Sequence, residues 1–355
     1  MNFSTSIVSL ERTYLMLQIS EWIYNVVSLL SSIYFVNRLC RISLIHINLR
    51  IQLCSIALQY TVNFTSRIAD HINATLDQKP QVLTNVVCLM FAVINGTSVF
   101  SCVVTILNIA MERLLATVLH KSYEVRGSTI GIAMLTVTIL LGIFVSAFSL
   151  GYDIYNGTYD IRTSTESCLS VRLHPEAVPF AWIVAFFCCL FGTIIIVKLY
   201  YYNRRQRKRI KGVSLSTRYQ YNENMVTTRA LLPAVGGYIF FVVPGCVLST
   251  YIAVIMLKHG DRGLFVQILI QILYLMSFFY QIFFIVYVSI KYPPLFAQVR
   301  RDFRRLFREK SARIGEESAT LGTSQSIYIS NPTETTKTYF IELDKCWNQT
   351  PIRKN

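Results

Sequence analysis

Long apolar runs alternate with short polar segments along the chain, and the runs are too long for the helices of a soluble core. Five stretches carry no Asp, Glu, Lys or Arg: 80–111 (32 residues), 127–152 (26), 177–197 (21), 230–257 (28) and 263–290 (28). Each exceeds the roughly 20 residues that a helix needs to cross the hydrocarbon of a bilayer. Two shorter gaps, 22–37 and 51–66, hold 16 residues each. They qualify as spans if Glu21, Arg50 and Arg67 at their margins reach to the interface. The pattern predicts an all-α integral membrane protein: an outer tail over 1–14 and a seven-helix bundle over 15–290.

The pattern then changes. Lys291 is followed by Tyr292, Pro293 and Pro294, which break the helix. Leu295, Phe296, Val299, Phe303, Leu306 and Phe307 recur at spacings of three and four, with Arg300, Arg301, Arg304, Arg305 and Arg308 between them. That spacing predicts an amphipathic helix over 291–310, apolar face in the inner leaflet and arginines toward anionic head groups. Residues 311–355, rich in Ser and Thr, read as a disordered cytoplasmic tail. No basic start leads into a short apolar run and a small-residue cleavage site, so the first span is expected to serve as its own anchor.

Only 15% of residues are charged, against roughly 25% in soluble domains, which argues against a soluble enzyme. Lys and Arg number 34 against 19 Asp and Glu, a net charge of +15, and their placement decides what the excess means. Arg38 and Arg41, Lys121 and Arg126, and the cluster from Arg204 to Lys211 all fall in alternate loops. The positive-inside rule then puts the N-terminus outside and the C-terminus in the cytoplasm. Topology explains the basic stretches without nucleic acid. Among the Asn-x-Ser/Thr triplets, Asn2, Asn73 and Asn156 fall outside and are candidate glycosylation sites. Asn63 and Asn95 fall inside spans and Asn348 in the inner tail, so they should be unmodified. Of nine cysteines, only Cys88 and Cys168 face an oxidising compartment. A disulfide between them is expected, with two unpaired thiols as the alternative.

At the inner end of the third span stand Glu112 and Arg113. A half-buried Arg needs an anionic partner, and the adjacent carboxylate supplies one. Cys88 precedes Arg113 by 25 residues, roughly 37 Å of helix, so one helix joins an outer cysteine to an inner arginine. This arrangement resembles the plan of G-protein-coupled receptors. Glu112, Arg113, Ala116, Thr117, Tyr123 and Glu124 (ERxxATxxxxxYE) are similar to the pattern of nematode chemosensory serpentine receptors of the Sra superfamily. So are Leu215, Ser216, Arg218, Tyr219, Gln220, Glu223 and Asn224 (LSxRYQxxEN). His46 to Leu49 (HINL) and Pro233 fit the Sra and Srab side of that group. Against the wider rhodopsin-like pattern, span 7 has no Pro, and span 6 reads Phe240 to Pro244 (FFVVP) without a Trp.

The resemblance implies a receptor for an odorant or pheromone in sensory-neuron membranes, signalling through a heterotrimeric G protein, with no cofactor. An arrestin-like protein and a kinase are expected on the Ser/Thr-rich tail. Pro244, mid-span, is expected to bend helix 6. Arg113 is expected to pair with Glu112 or Glu223 at rest and to be freed when helix 6 swings outward. Polar and aromatic residues in the outer halves of the spans are candidates for the ligand cavity: Phe91, Asn95, Trp182, Tyr251, Gln267, Gln271 and Tyr274. Hydrogen bonding between helices is an equal reading for any one of them. The five histidines are scattered and give no close ligand pair, so no metal site is expected. No GxSxG or phosphate-loop motif occurs, and an enzyme is not expected. A transporter or ligand-gated channel is the competing class, but neither mid-membrane charges nor repeat symmetry support it.

Overall fold

The computed structural model describes residues 3–42, 45–75, 81–119, 123, 127–155, 177–209, 215–259 and 263–316. All the regular structure among them is helical. In chain order the helices are α1 (Phe3–Cys40), α2 (Ile47–Thr75), α3 (Gln81–Val118), α4 (Thr129–Tyr155), α5 (Ala177–Arg209), α6 (Leu215–Gly237), α7 (Ile239–His259), α8 (Leu264–Lys291) and α9 (Pro293–Glu316). The helix-breaking pair at the end of the last span acts as expected, with α9 starting at Pro293. The bundle and the start of α9, up to Arg301, form one compact unit; a second begins at Asp302, and its described residues complete α9.

Among the described residues six segments are long and apolar enough to cross a membrane: Ser9–Cys40, Val82–Val118, Thr129–Tyr152, Val178–Gln206, Glu223–Lys258 and Leu264–Lys291. The sixth span thus consists of α6 and α7 together. α2 supplies the seventh helix, and its low apolarity has a simple cause. Asn48, Gln52, Ser55, Gln59, Asn63 and Ser66 are all buried. They recur at spacings of three and four, so they form one stripe along the helix. Leu58 and Val62 point outward instead. In lipid the outside of a bundle is apolar, and polar side chains gather between helices. α2 is amphipathic in that inverted sense.

The neighbours of α2 satisfy much of the stripe. Asn48 Oδ1 accepts the Gly131 N–H at 2.9 Å, and Gln52 Nε2 donates to the Gly131 carbonyl at 3.0 Å. A Cβ at Gly131 would lie 2.8 Å from the Asn48 Cα, so α2 and α4 approach this closely only with glycine there. Farther along, Thr105 Oγ1 donates to Gln59 Oε1 at 3.0 Å. α3 packs against α2, α4, α5 and α6, while α1 lies against α2 and α8. The aliphatic and aromatic core includes Phe35, Ile56, Phe64, Ile106, Phe278 and Phe284.

The segment expected as an outer tail over 1–14 is helical from Phe3 onward, as part of α1. One expectation changes. Glu21 and Arg67, expected to reach the interface, are both buried and paired with each other. Neutralising each other inside the bundle removes the need for either to reach water.

Candidate functional site

At one end of α3, Glu112 and Arg113 are both buried, at 0% and 2% exposure. Neighbours in a helix normally point away from each other. Here the long Arg113 side chain turns back and forks onto the carboxylate, with Nε to Oε2 and Nη2 to Oε1 both at 2.5 Å. Tyr123 donates its hydroxyl to the same carboxylate. Burial and the Glu112 charge both push the Tyr123 phenol well above its ordinary pKa, so it stays protonated and keeps donating. His46, just before α2, lies against the Tyr123 ring at 4.3 Å.

The third arm of the arginine crosses to α6, where Arg113 Nη1 donates to Asn224 Oδ1 at 3.3 Å. The expected partner on that helix was Glu223. It is half-buried and acts on Arg113 through its charge, but the neighbouring Asn224 makes the hydrogen bond. Thr117 and Asn203 of α5 extend the polar cluster, Asn203 Nδ2 donating to Thr117 Oγ1 at 3.5 Å. Asn224 was visible in the sequence motif, but its role was not.

Toward the other end of the bundle lies a cavity of about 290 Å³ between α2, α3, α4, α5, α8 and the joint of α6 with α7. Of the residues proposed from sequence, Asn95, Trp182 and Tyr274 line it. Asn95 also donates to the Asn63 carbonyl and to Ser66 Oγ, at 3.2 and 3.3 Å. Phe91, Tyr251 and Gln267 are not among the lining residues. Tyr251 is half exposed on the outer surface of the bundle, where lipid would meet it. Gln271 belongs to a separate buried cluster. Arg67 pairs with Glu21 through Nε and donates from Nη2 to Gln271 Oε1 at 2.5 Å, and Gln271 donates back to Glu21. α1, α2 and α8 are closed into one ring of polar contacts, with the Tyr274 ring 3.8 Å from the Arg67 guanidinium.

The sixth span is broken, but not at Pro244. The interruption falls at Tyr238, right after Gly236 and Gly237, because two successive glycines cost about 2 kcal/mol of helix propensity relative to alanine. Tyr238 N–H bonds to the Val235 carbonyl at 3.2 Å instead of reaching one residue further back. The Ala234 carbonyl, released from the ladder, accepts the Tyr280 hydroxyl of α8 at 3.2 Å. The Cys189 thiol of α5 donates to the Val235 carbonyl at 3.1 Å. Neighbouring helices therefore hold the break in place. Pro244 sits within α7. Beside it, a Cβ on Gly245 would lie 2.5 Å from the Trp182 ring, so this cavity-lining indole is seated directly on the α7 backbone.

Cys88 is buried and disulfide-bonded; its expected partner, Cys168, lies outside the described residues. Asn2 and Asn156 also lie outside them, and Asn73 falls within α2. Asn63 and Asn95 are buried between helices.

Membrane-length helices with a cavity toward one end and a buried Arg cluster at the other define a seven-helix membrane bundle. The sequence matches the family described as serpentine type 7TM GPCR receptor class ab chemoreceptor over residues 6–299. The chain belongs to that family, which is one of receptors and not of enzymes. It is also similar to serpentine receptor class beta-16 of Caenorhabditis elegans, 26% identical over 213 residues, covering 58% of this chain and 60% of that protein. Serpentine receptor class alpha/beta-14 of the same organism is 26% identical over 151 residues, covering 39% of this chain and 35% of that protein. The alignments thus span about 60% and 35% of these relatives' lengths.

Proposed function

We propose that the chain is a plasma-membrane chemoreceptor that binds a small odorant or pheromone from outside and activates a heterotrimeric G protein at its cytoplasmic face. The observation that carries this reading is the buried Arg113 fork, held on its own helix by Glu112 and on α6 by Asn224. A G-protein segment that offers Arg113 better partners would displace Asn224 and favour outward movement of α6. An agonist drives that movement only to the extent that it binds the open state better than the closed one.

Basic residues gather in the segments beside the Arg113 end, which supports an extracellular N-terminus and a cytoplasmic C-terminus. The Cys88–Cys168 disulfide and glycans on Asn2, Asn73 and Asn156 belong to the same topology. The arginines between the apolar positions of α9 support binding to inner-leaflet lipids. The Ser/Thr-rich tail is the expected target of a kinase and an arrestin-like protein. Sensory cilia are the proposed site of action.

The test scores an N-terminal epitope on unpermeabilised cells while an odorant panel is screened for nucleotide exchange on G protein. The proposal expects an outside epitope, and activation lost in Arg113→Ala at matched surface expression. An inside epitope, or ligand-gated current without G protein, contradicts it.

A further inference from the structure

The cavity and the break in the sixth span meet at one residue. Tyr238 lines the cavity and is also the residue at which α6 gives way to α7. Tyr60 of α2 lines the same cavity, its ring 6.0 Å from that of Tyr280. The Tyr238 ring packs on Tyr280 with centroids 4.5 Å apart. Tyr280 in turn caps the Ala234 carbonyl that the break releases. Any group that takes the Tyr60 or Tyr238 hydroxyl as a partner therefore acts on the joint itself.

The rest of the wall limits what that group can be. Among the described residues none that lines the cavity is Asp, Glu, Lys, Arg or His, and the lining is mostly aliphatic and aromatic. An ion placed there loses its hydration without gaining a counter-charge, which costs several kcal/mol. The nearby Arg67 is already neutralised by Glu21 and separated from the cavity by the Tyr274 ring. Its Nη1 is the one unpartnered polar atom of that cluster, and it marks the competing way in which a ligand could be read. At about 290 Å³ the cavity lies at the small end of ligand pockets, roughly 300–1,000 Å³.

Building on the receptor reading above, we propose that the cavity takes a small, uncharged, largely apolar molecule with one oxygen-bearing functional group, a ketone, an ester or an alcohol, which the hydroxyls of Tyr60 and Tyr238 recognise. A phenol hydroxyl can donate to a carbonyl, and it can also accept from an alcohol. Binding energy is thereby delivered at the break between α6 and α7.

The test uses the full chain purified in lipid nanodiscs and follows the shift in Tm with added probe. The probes are 2-ketones, 1-alcohols, carboxylates, primary amines and alkanes of four to ten carbons. Ketones or alcohols should stabilise the protein, with carboxylates, amines and alkanes of the same length at least tenfold weaker. Tyr238→Phe and Tyr60→Phe should each weaken the oxygenated probe roughly 3- to 10-fold and leave the alkane unchanged. Tyr251→Phe, on the outer surface, should alter neither. A carboxylate that binds as well as the ketone would transfer recognition to Arg67 and overturn the proposal. So would a ketone indifferent to both Phe variants, or a panel in which nothing binds. Binding as described without nucleotide exchange on G protein would instead count against the receptor reading, and leave this inference standing.

Discussion

Among the described residues the bundle holds two buried Arg–Glu pairs, and they are built in opposite ways. Glu112 and Arg113 are neighbours on one helix, so their pairing survives any movement of the helices around them. Glu21 and Arg67 lie on α1 and α2 and are bridged by Gln271 of α8, so their pairing exists only while three helices stay together. The first cluster reaches across to α6 through a 3.3 Å hydrogen bond that Arg113 donates to Asn224, with the Glu223 charge beside it. A ring through three helices resists opening more than a local pair with a weak strut to the next helix. On the mechanism proposed above, movement would fall at the Arg113 end, against the Glu21–Arg67 end.

The comparison breaks most sharply at the ring. Arg67→Met leaves the Glu21 carboxylate buried without its counter-charge, and such losses cost about 3–5 kcal/mol. Loss of surface expression and a Tm well below wild type are expected. The double variant Glu21→Gln/Arg67→Met removes both charges and should recover most of the loss, which a thermal-shift cycle would measure. At the other end, Glu112→Gln removes the charge and one of the two acceptor oxygens that the Arg113 fork and Tyr123 share. A cost of about 1.5–3 kcal/mol is expected from hydrogen bonds to a charged group, with folding retained. Asn224→Ala should lower stability by only about 1 kcal/mol and yet raise ligand-free nucleotide exchange, since it removes the strut to α6. The smallest effect is Tyr123→Phe, under about 1 kcal/mol by the same thermal shift, because the Arg113 fork onto Glu112 persists without the phenol.

Much of this is legible in the amino-acid sequence alone. Five charge-free runs and two shorter gaps mark the seven spans, because crossing a bilayer requires length and apolarity together. Glu112 and Arg113 stand out because a charged pair beside a span demands a reason. Asn95, Trp182 and Tyr274 line the cavity, in keeping with their depth and chemistry. What stays hidden depends on which way a helix faces. Gln271 looks like a ligand contact on α8 until Glu21 and Arg67 are seen converging on it from helices remote in sequence. The polar stripe of α2 is readable as a period, from Asn48 to Ser66, but only burial reveals that it points inward. The break at Tyr238 depends on the fold as well as on sequence, because the adjacent Gly236 and Gly237 weaken the helix and partners on α5 and α8 stabilise the opening. Asn224 rather than Glu223 meets Arg113 for a comparable reason: residues one apart differ by roughly 100° around the helix.

The asymmetry between the two ends can be measured directly. Spin labels at Val118 and Tyr221 would report the separation of α3 and α6 at the Arg113 end, and labels at Ile19 and Phe265 that of α1 and α8 near the other. In nanodiscs, Asn224→Ala should shift the Val118–Tyr221 distance distribution outward and leave the Ile19–Phe265 distribution unchanged. An unchanged Val118–Tyr221 distribution, or an equal shift at both ends, would contradict the account.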